Sequence, residues 1–363
     1  MKVFYICILT AIVVFSYGFI DPNFPYQPFP EYFRYFHSQR TIATAIYVAL
    51  LLSLFACYGF ILSRSKFTEV WQYIWITVLI LFFAYPAFSS DLFNYIATAK
   101  VTYFYRENPY IVMPNEISNE PSLAYLHASN KVALYGWSWI ALTALPHYLG
   151  FNSIIATMIT MKILIVLFFI WLVRQIQQAS TNRAWSVALF ALNPLVIIET
   201  LVAVHQDVVM MALALFSFNL LKQRRFILSF IFLILSVFIK GATVFLVPVY
   251  VVVLFRIRTN RSLDWQRIWY WAALSMVCIF LFSPFREEMY PWYFIWVLTF
   301  VSLLPKQSFF VILSIFTSLG LEFRIVPYLY TWRWDGITPV IKSIVSITPP
   351  ALTALWYGFR KKI

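Results

Sequence analysis

The segment Ser89–Tyr110, SSDLFNYIATAKVTYFYRENPY, sets a carboxylate, Asp91, at the end of an apolar run. Only 11% of the chain is charged, and a carboxylate next to hydrocarbon is costly enough to imply a task. The chemistry it suits is general base catalysis, taking a proton from a hydroxyl. The plainer account is a helix cap, since Ser89-Ser90-Asp91 precedes a helical pattern over about 91–106. Further along come Asn193-Pro194, Glu199 and the tight sequence His205-Gln206-Asp207. Asn-Pro alone predicts a kink, whereas Glu199 within an apolar run requires a cation partner or water. Three polar side chains in so short a connection are either a solvated turn or the lining of a cavity beside Asp91. Lys240 stands between two apolar runs, as a snorkelling lysine or as counter-ion to a lipid phosphate. Arg286, Glu287 and Glu288, followed by Pro291-Trp292-Tyr293-Phe294, repeat the pairing of charge with aromatics. An interfacial aromatic belt explains any one of these rings; several around a polar pocket would suit the apolar faces of a sugar. Glu107-Asn108-Pro109-Tyr110 taken alone reads as a turn, and Trp332-Arg333-Trp334-Asp335 forms a further cluster with no assigned task.

The elements that must position these residues are membrane helices. The 363 residues are 62% hydrophobic and 20% aromatic, well above globular composition. Apolar runs fall at about 3–20, 41–62, 70–88, 151–173, 184–203, 207–221, 267–284, 292–304, 307–327 and 338–357. The run 226–255 is broken by Lys240-Gly241 and reads as a hairpin of two short helices with Lys240 at its turn. Segment 131–149 is aromatic and weakly periodic, better suited to the interface than to crossing. The expectation is an all-α polytopic protein forming a single integral-membrane domain over 1–363. It has about twelve spans and interfacial helices in a first large extracytoplasmic loop over 89–150.

Charge orients this arrangement. With the N-terminus in the cytoplasm, the inside loops collect most of the 27 basic residues, while most of the 14 acidic residues fall outside and only Glu69 and Asp264 fall clearly inside. Both termini are then cytoplasmic. The net charge of +13 is accounted for by short basic loops facing anionic lipid, without a nucleic-acid partner. Cys7, Cys57 and Cys278 lie in separate apolar runs, which argues against disulfides or a metal cluster. Lys2 and its apolar run read as an uncleaved first span rather than a signal peptide, since no small-x-small site precedes Asp21. The sequence carries no Gly-x-Gly-x-x-Gly, Walker, His-Glu-x-x-His or Cys-x-x-Cys pattern. Chemistry on the extracytoplasmic side therefore calls for an activated donor dissolved in the membrane.

An acidic residue after the third span, an aromatic helix and the Asn-Pro-Tyr turn resemble the GT-C superfamily of membrane glycosyltransferases. Within it they are most similar to the polyprenyl-phosphate-mannose-dependent mannosyltransferases of bacterial envelopes. ALNPLVIIETLVAVHQDVVMMAL, Lys240, Pro248, and Pro291-Trp292-Tyr293 before Trp296 continue the likeness over roughly 70–300. The resemblance implies an inverting transferase of the inner membrane, active on the extracytoplasmic side. It would move a sugar from a polyprenyl-phosphate donor to a glycan or glycolipid acceptor. Asp91 would be the catalytic base, Lys240 or Arg286 would stabilise the departing phosphate, and His205 with Asp207 would bind sugar hydroxyls or assist the base. Tyr95, Arg106, Asn108, Tyr110, Glu199, Gln206, Trp292 and Tyr293 complete the substrate-binding candidates. Family members commonly carry a second acidic residue close to the first; here Asp91 is flanked by Ser90 and Leu92, which leaves a divalent cation open. The competing expectation is a transporter or flippase, which needs polar residues through the bilayer centre and often repeated halves. No internal repeat is evident, and Lys162 and Lys342 are the main midplane charges. A non-catalytic assembly protein would not explain Asp91, Asp207 and Lys240 on one side.

Overall fold

Helices follow the apolar runs, and each break has a local cause. The structure, a computed structural model, describes residues 1–64, 66–285, 288–306 and 308–360, and no strand occurs among them. Five helical segments are long and apolar enough to cross a membrane: Lys2–Phe19, Arg40–Arg64, Ile154–Ala179, Trp265–Phe285 and Phe309–Thr331. A sixth arises if Arg183–Ala191 and Pro194–Val202, bent by 55° at their junction, count as one. About twelve spans were expected. The difference lies in helices of intermediate length, including Phe67–Leu81, Phe226–Lys240 and Pro291–Val301. At ~1.5 Å per residue, fifteen residues reach about 22 Å, short of a hydrocarbon core of roughly 30 Å.

The expected hairpin is present. Helix Phe226–Lys240 ends at Gly241 in the left-handed conformation (φ 85°), a short turn Ala242–Leu246 follows, and Val247–Arg258 returns. Gly241 takes the positive φ that a side-chain-bearing residue resists. The 89–150 loop carries two short helices, Asp91–Tyr103 and Trp137–Leu149, joined where the Tyr103 hydroxyl donates to the Ile140 carbonyl at 2.7 Å.

Helix Asp207–Lys222 is the hub. It is apolar on all sides, buried except at Phe216 and Lys222, and packs against Phe226–Lys240 and Ile154–Ala179. A helix hydrophobic all round must be enclosed by others. Peripheral helices instead turn apolar side chains outward, among them Leu52, Leu167, Ile227 and Val252. That is the surface lipid would cover.

Candidate active site

Two turns meet at the candidate base. One enters helix Asp91–Tyr103 through Phe88, and the other connects the bent segment to helix Asp207–Lys222 through Val204. Both residues hold positive φ, 72° at Phe88 and 66° at Val204. Neither a bulky aromatic nor a β-branched residue adopts that conformation without strain, and such strain collects at functional sites. The bend that delivers the second turn starts at Asn193, whose Oδ1 accepts from the Leu195 amide at 3.0 Å and whose Nδ2 donates to Ser318 Oγ at 3.2 Å. The π-turn Ile198–Val202 follows and includes Glu199.

His205 joins the two turns. Its ring is fully buried, with Nδ1 2.9 Å from Glu199 Oε2 and 3.1 Å from the Glu199 carbonyl. Both of those oxygens accept, so Nδ1 carries a proton. Nε2 faces Ser89 Oγ at 3.0 Å and Asp91 Oδ2 at 3.8 Å. Burial disfavours the imidazolium, but the Glu199 hydrogen bond and charge, with Asp91 and Asp207 beyond, outweigh it and raise the pKa above 6.5. Tyr95 OH lies 3.5 Å from Asp91 Oδ2 and receives the Gln206 amide at 3.4 Å. Capping does not account for Asp91. It is the first residue of its helix, and its carboxylate accepts no backbone N–H among the described residues.

Asp207 and Lys240 form a second, adjoining group. Lys240 Nζ stands 3.3 and 3.2 Å from the two Asp207 oxygens, and Trp296 Nε1 donates to Oδ1 at 2.6 Å. The ammonium also sits 4.5 Å above the Tyr293 ring. Lys240 is thus already neutralised by a buried carboxylate. The hairpin turn is fixed against the 89–150 loop at Gly136, whose amide donates to the Ile239 carbonyl at 2.9 Å. A Cβ at Gly136 would stand 2.0 Å from the Phe238 carbonyl oxygen, so only glycine permits this approach. Tyr135, next in sequence, then packs edge-on against Tyr95 at 4.8 Å.

The aromatics are placed differently from a free sugar platform. Trp292 lies between His205 and Tyr290, with ring centroids 4.0 and 4.4 Å away and near-parallel planes. Tyr293 stacks on Trp296 at 4.5 Å. What Trp292 retains is its indole N–H, buried without a hydrogen-bond partner; both amide atoms of Gln206 are in the same state. Buried polar groups without partners are rare and call for an explanation, such as a substrate.

Asp91, Tyr95, Glu199, His205, Gln206, Asp207, Lys240, Trp292 and Tyr293 thus converge. Arg106 and Asn108 do not: both are exposed, and Asn108 Oδ1 accepts from the Tyr110 amide at 3.0 Å, as in a simple turn. Tyr110 reaches the group indirectly, through its hydroxyl on the Tyr135 carbonyl at 3.0 Å. Arg286 lies outside the described residues.

Tyr47, Glu322 and Arg324 were not singled out by sequence, and Ser89 only as part of a helix cap. Glu322 is fully enclosed with Tyr47 OH 3.3 Å from its Oε2, and it lines a cavity of about 90 Å³ with Glu199, Trp292, Tyr290, Phe88, Arg324 and Lys342. Two charges within the apolar run 309–331 were the available signal. Among the described residues no group of three or more His, Cys, Asp or Glu is placed to hold a metal.

Residues 5–256 match the N-terminal domain of the alpha-(1->6)-mannopyranosyltransferase family. The chain belongs to that family. Glycosyl transfer is therefore its chemistry, within the GT-C type of mannosyltransferase that the sequence motifs resemble. The matched region contains Asp91, Glu199, His205, Asp207 and Lys240. No curated protein and no solved structure matches the chain.

Proposed function

We propose that this mannosyltransferase-family protein is an inverting enzyme that takes mannose or another hexose from a polyprenyl-phosphate donor. The acceptor is an envelope glycan or glycolipid on the extracytoplasmic face of a bacterial inner membrane. The observation that carries this is the meeting of Asp91, His205 and Glu199, drawn from two distant turns and held by strained backbone. Asp91 takes the proton of the acceptor hydroxyl. The oxygen bonds to the anomeric carbon as the bond to phosphate oxygen breaks on the opposite side, leaving its electron pair on the phosphate. His205, anchored by Glu199, orients Asp91 across their 3.8 Å contact. Lys240, compensated by Asp207, orders the turn and the aromatics. The distribution of basic residues supports both termini in the cytoplasm, and about twelve spans would require the helices of intermediate length to cross as well.

The test is sugar transfer from a polyprenyl-phosphate sugar in membranes carrying wild type or Asp91→Asn at matched expression, read by mass spectrometry of lipids and glycans. Transfer in the wild type and its loss in the variant are expected. Full activity in the variant removes Asp91 as base. The bent segment Arg183–Val202 is also a feature of transporters; uptake into sealed vesicles with no covalent product would favour that reading instead.

A further inference from the structure

The cavity of about 90 Å³ has a cationic wall that the active-site residues do not use. Arg324 and Lys342 come from separate helices, Arg324 just before Ile325–Thr331 and Lys342 within Thr338–Arg360. Their side chains are 8% and 7% exposed, and both bind Glu288. Lys342 Nζ stands 2.7 and 2.9 Å from the two carboxylate oxygens, and Arg324 Nη2 is 3.2 Å from Oε1. Arg324 is braced by Ser346 Oγ at 3.2 Å, and the Trp334 ring lies 4.8 Å from the Lys342 ammonium.

One carboxylate thus serves two buried cations, and Glu288 is itself 36% exposed, the least enclosed of the three. Glu199 and Glu322 line the same cavity but are engaged with His205 and Tyr47. Two further polar atoms on this cavity have no hydrogen-bond partner: Trp292 Nε1, a donor, and Glu322 Oε1, an acceptor on a side chain only 3% exposed. Cations, an idle donor and an idle acceptor around one space describe a site for a ligand carrying both an anion and hydroxyls.

We infer that Arg324 and Lys342 form the subsite for the phosphate of a prenyl phosphate, and that Glu288 occupies it until the phosphate displaces its carboxylate. This rests on the polyprenyl-phosphate donor proposed above and moves the phosphate contact from Lys240 to a part of the chain beyond the family match at 5–256. The charges explain the exchange. A carboxylate brings one negative charge and two oxygens to two cations, whereas a phosphate monoester brings about 1.5 to 2 charges and three acceptor oxygens. The donor is a diester with one charge. When the acceptor oxygen bonds to the anomeric carbon and the phosphate leaves with the electron pair, the leaving group gains the second charge. Two cations match that product better than the ground state, which is where electrostatic stabilisation accelerates a reaction. The site lies within reach of the reacting centre because Trp292 lines the cavity and stacks directly on His205.

Binding of farnesyl phosphate, inorganic phosphate and neutral farnesol to the full-length protein in nanodiscs of uncharged lipid tests this without sugar or acceptor. Lys342→Met is expected to weaken farnesyl phosphate on the order of tenfold, the loss of one charge-assisted contact. Glu288→Gln is expected to tighten it several-fold, a gain that a merely misfolded variant would not show. Farnesol binding should be insensitive to both. Unchanged farnesyl-phosphate affinity in both variants overturns the subsite, as does tightening by Lys342→Met. Equal affinity for inorganic phosphate overturns its assignment to a lipid. The two readings separate: sugar transfer that depends on Asp91 alongside indifferent Lys342 and Glu288 variants keeps the transferase and removes this site. Charge-dependent farnesyl-phosphate binding without sugar transfer does the reverse.

Discussion

Replacing Glu199 by Gln isolates the electrostatic hold on His205. The carboxylate sits 2.9 Å from Nδ1, with side-chain exposures of 7% and 0%, so solvent does little to screen the pair. Glutamine can still offer an oxygen, and the Glu199 carbonyl 3.1 Å away keeps Nδ1 protonated; geometry is retained while the charge goes. A hydrogen bond to a charged group contributes about 1.5–3 kcal/mol. Losing it should lower the His205 pKa, because the neighbouring charge that favours the imidazolium is gone. The chain has only 4 histidines, so selective isotope labelling gives a simple spectrum, and His205→Gln identifies the signal to follow in a pH titration. The elevated pKa also predicts a pattern in stability. A group whose folded pKa lies above its unfolded value of 6.5 stabilises the fold fully below 6.5, and that contribution fades as pH rises through the folded pKa. The melting temperature of Glu199→Gln should therefore trail the wild type most at about pH 6 and approach it at alkaline pH. An unchanged His205 titration, or a stability gap that widens with rising pH, would refute the ion-pair account.

Lys240→Met leaves the Asp207 carboxylate buried with Trp296 as its one side-chain donor among the described residues. A loss of about 3–5 kcal/mol is expected, seen as a lower melting temperature in detergent and partly restored in a Lys240→Met, Asp207→Asn double variant. Gly136→Ala forces a Cβ to within 2.0 Å of the Phe238 carbonyl; a cost of about 1–3 kcal/mol and reduced sugar transfer should appear together. In the 89–150 loop, burial raises the Glu120 pKa, but hydrogen bonds from Ser122, Tyr105 and Lys100 outweigh it and bring the carboxyl to about 2 from 4.5. Its stabilisation is therefore complete above 4.5 and lost as pH falls through about 2. Glu120→Gln should loosen this clip at neutral pH, seen as faster proteolysis within 105–135, whereas the wild-type loop should resist cleavage down to strongly acidic pH.

Much of this was legible in the chain because hydrophobic length and isolated charges act locally. The hairpin turn at Lys240-Gly241, the short helix starting at Asp91 and the candidates Glu199, His205 and Asp207 followed from charges placed in apolar runs. The family motifs were local as well. Helix length was less legible, because hydropathy does not mark where a helix stops inside an apolar run: the run at 70–88 carries a helix that ends at Leu81. Arg106 and Asn108 looked like site residues because they follow Asp91 closely, but the helix Asp91–Tyr103 separates them from it by its own length.

The sequence by itself determined that this is an apolar helical protein of the alpha-(1->6)-mannopyranosyltransferase family, with Asp91, His205 and Asp207 as residues of interest. Composition and local motif suffice for that. Only the tertiary structure decided who partners whom: Glu199 with His205, Asp207 with Lys240, and Glu288 with Arg324 and Lys342. Those pairs join residues up to 54 positions apart. A buried charge requires a partner but does not specify which one, because that choice depends on which turns the packed helices bring within hydrogen-bonding distance.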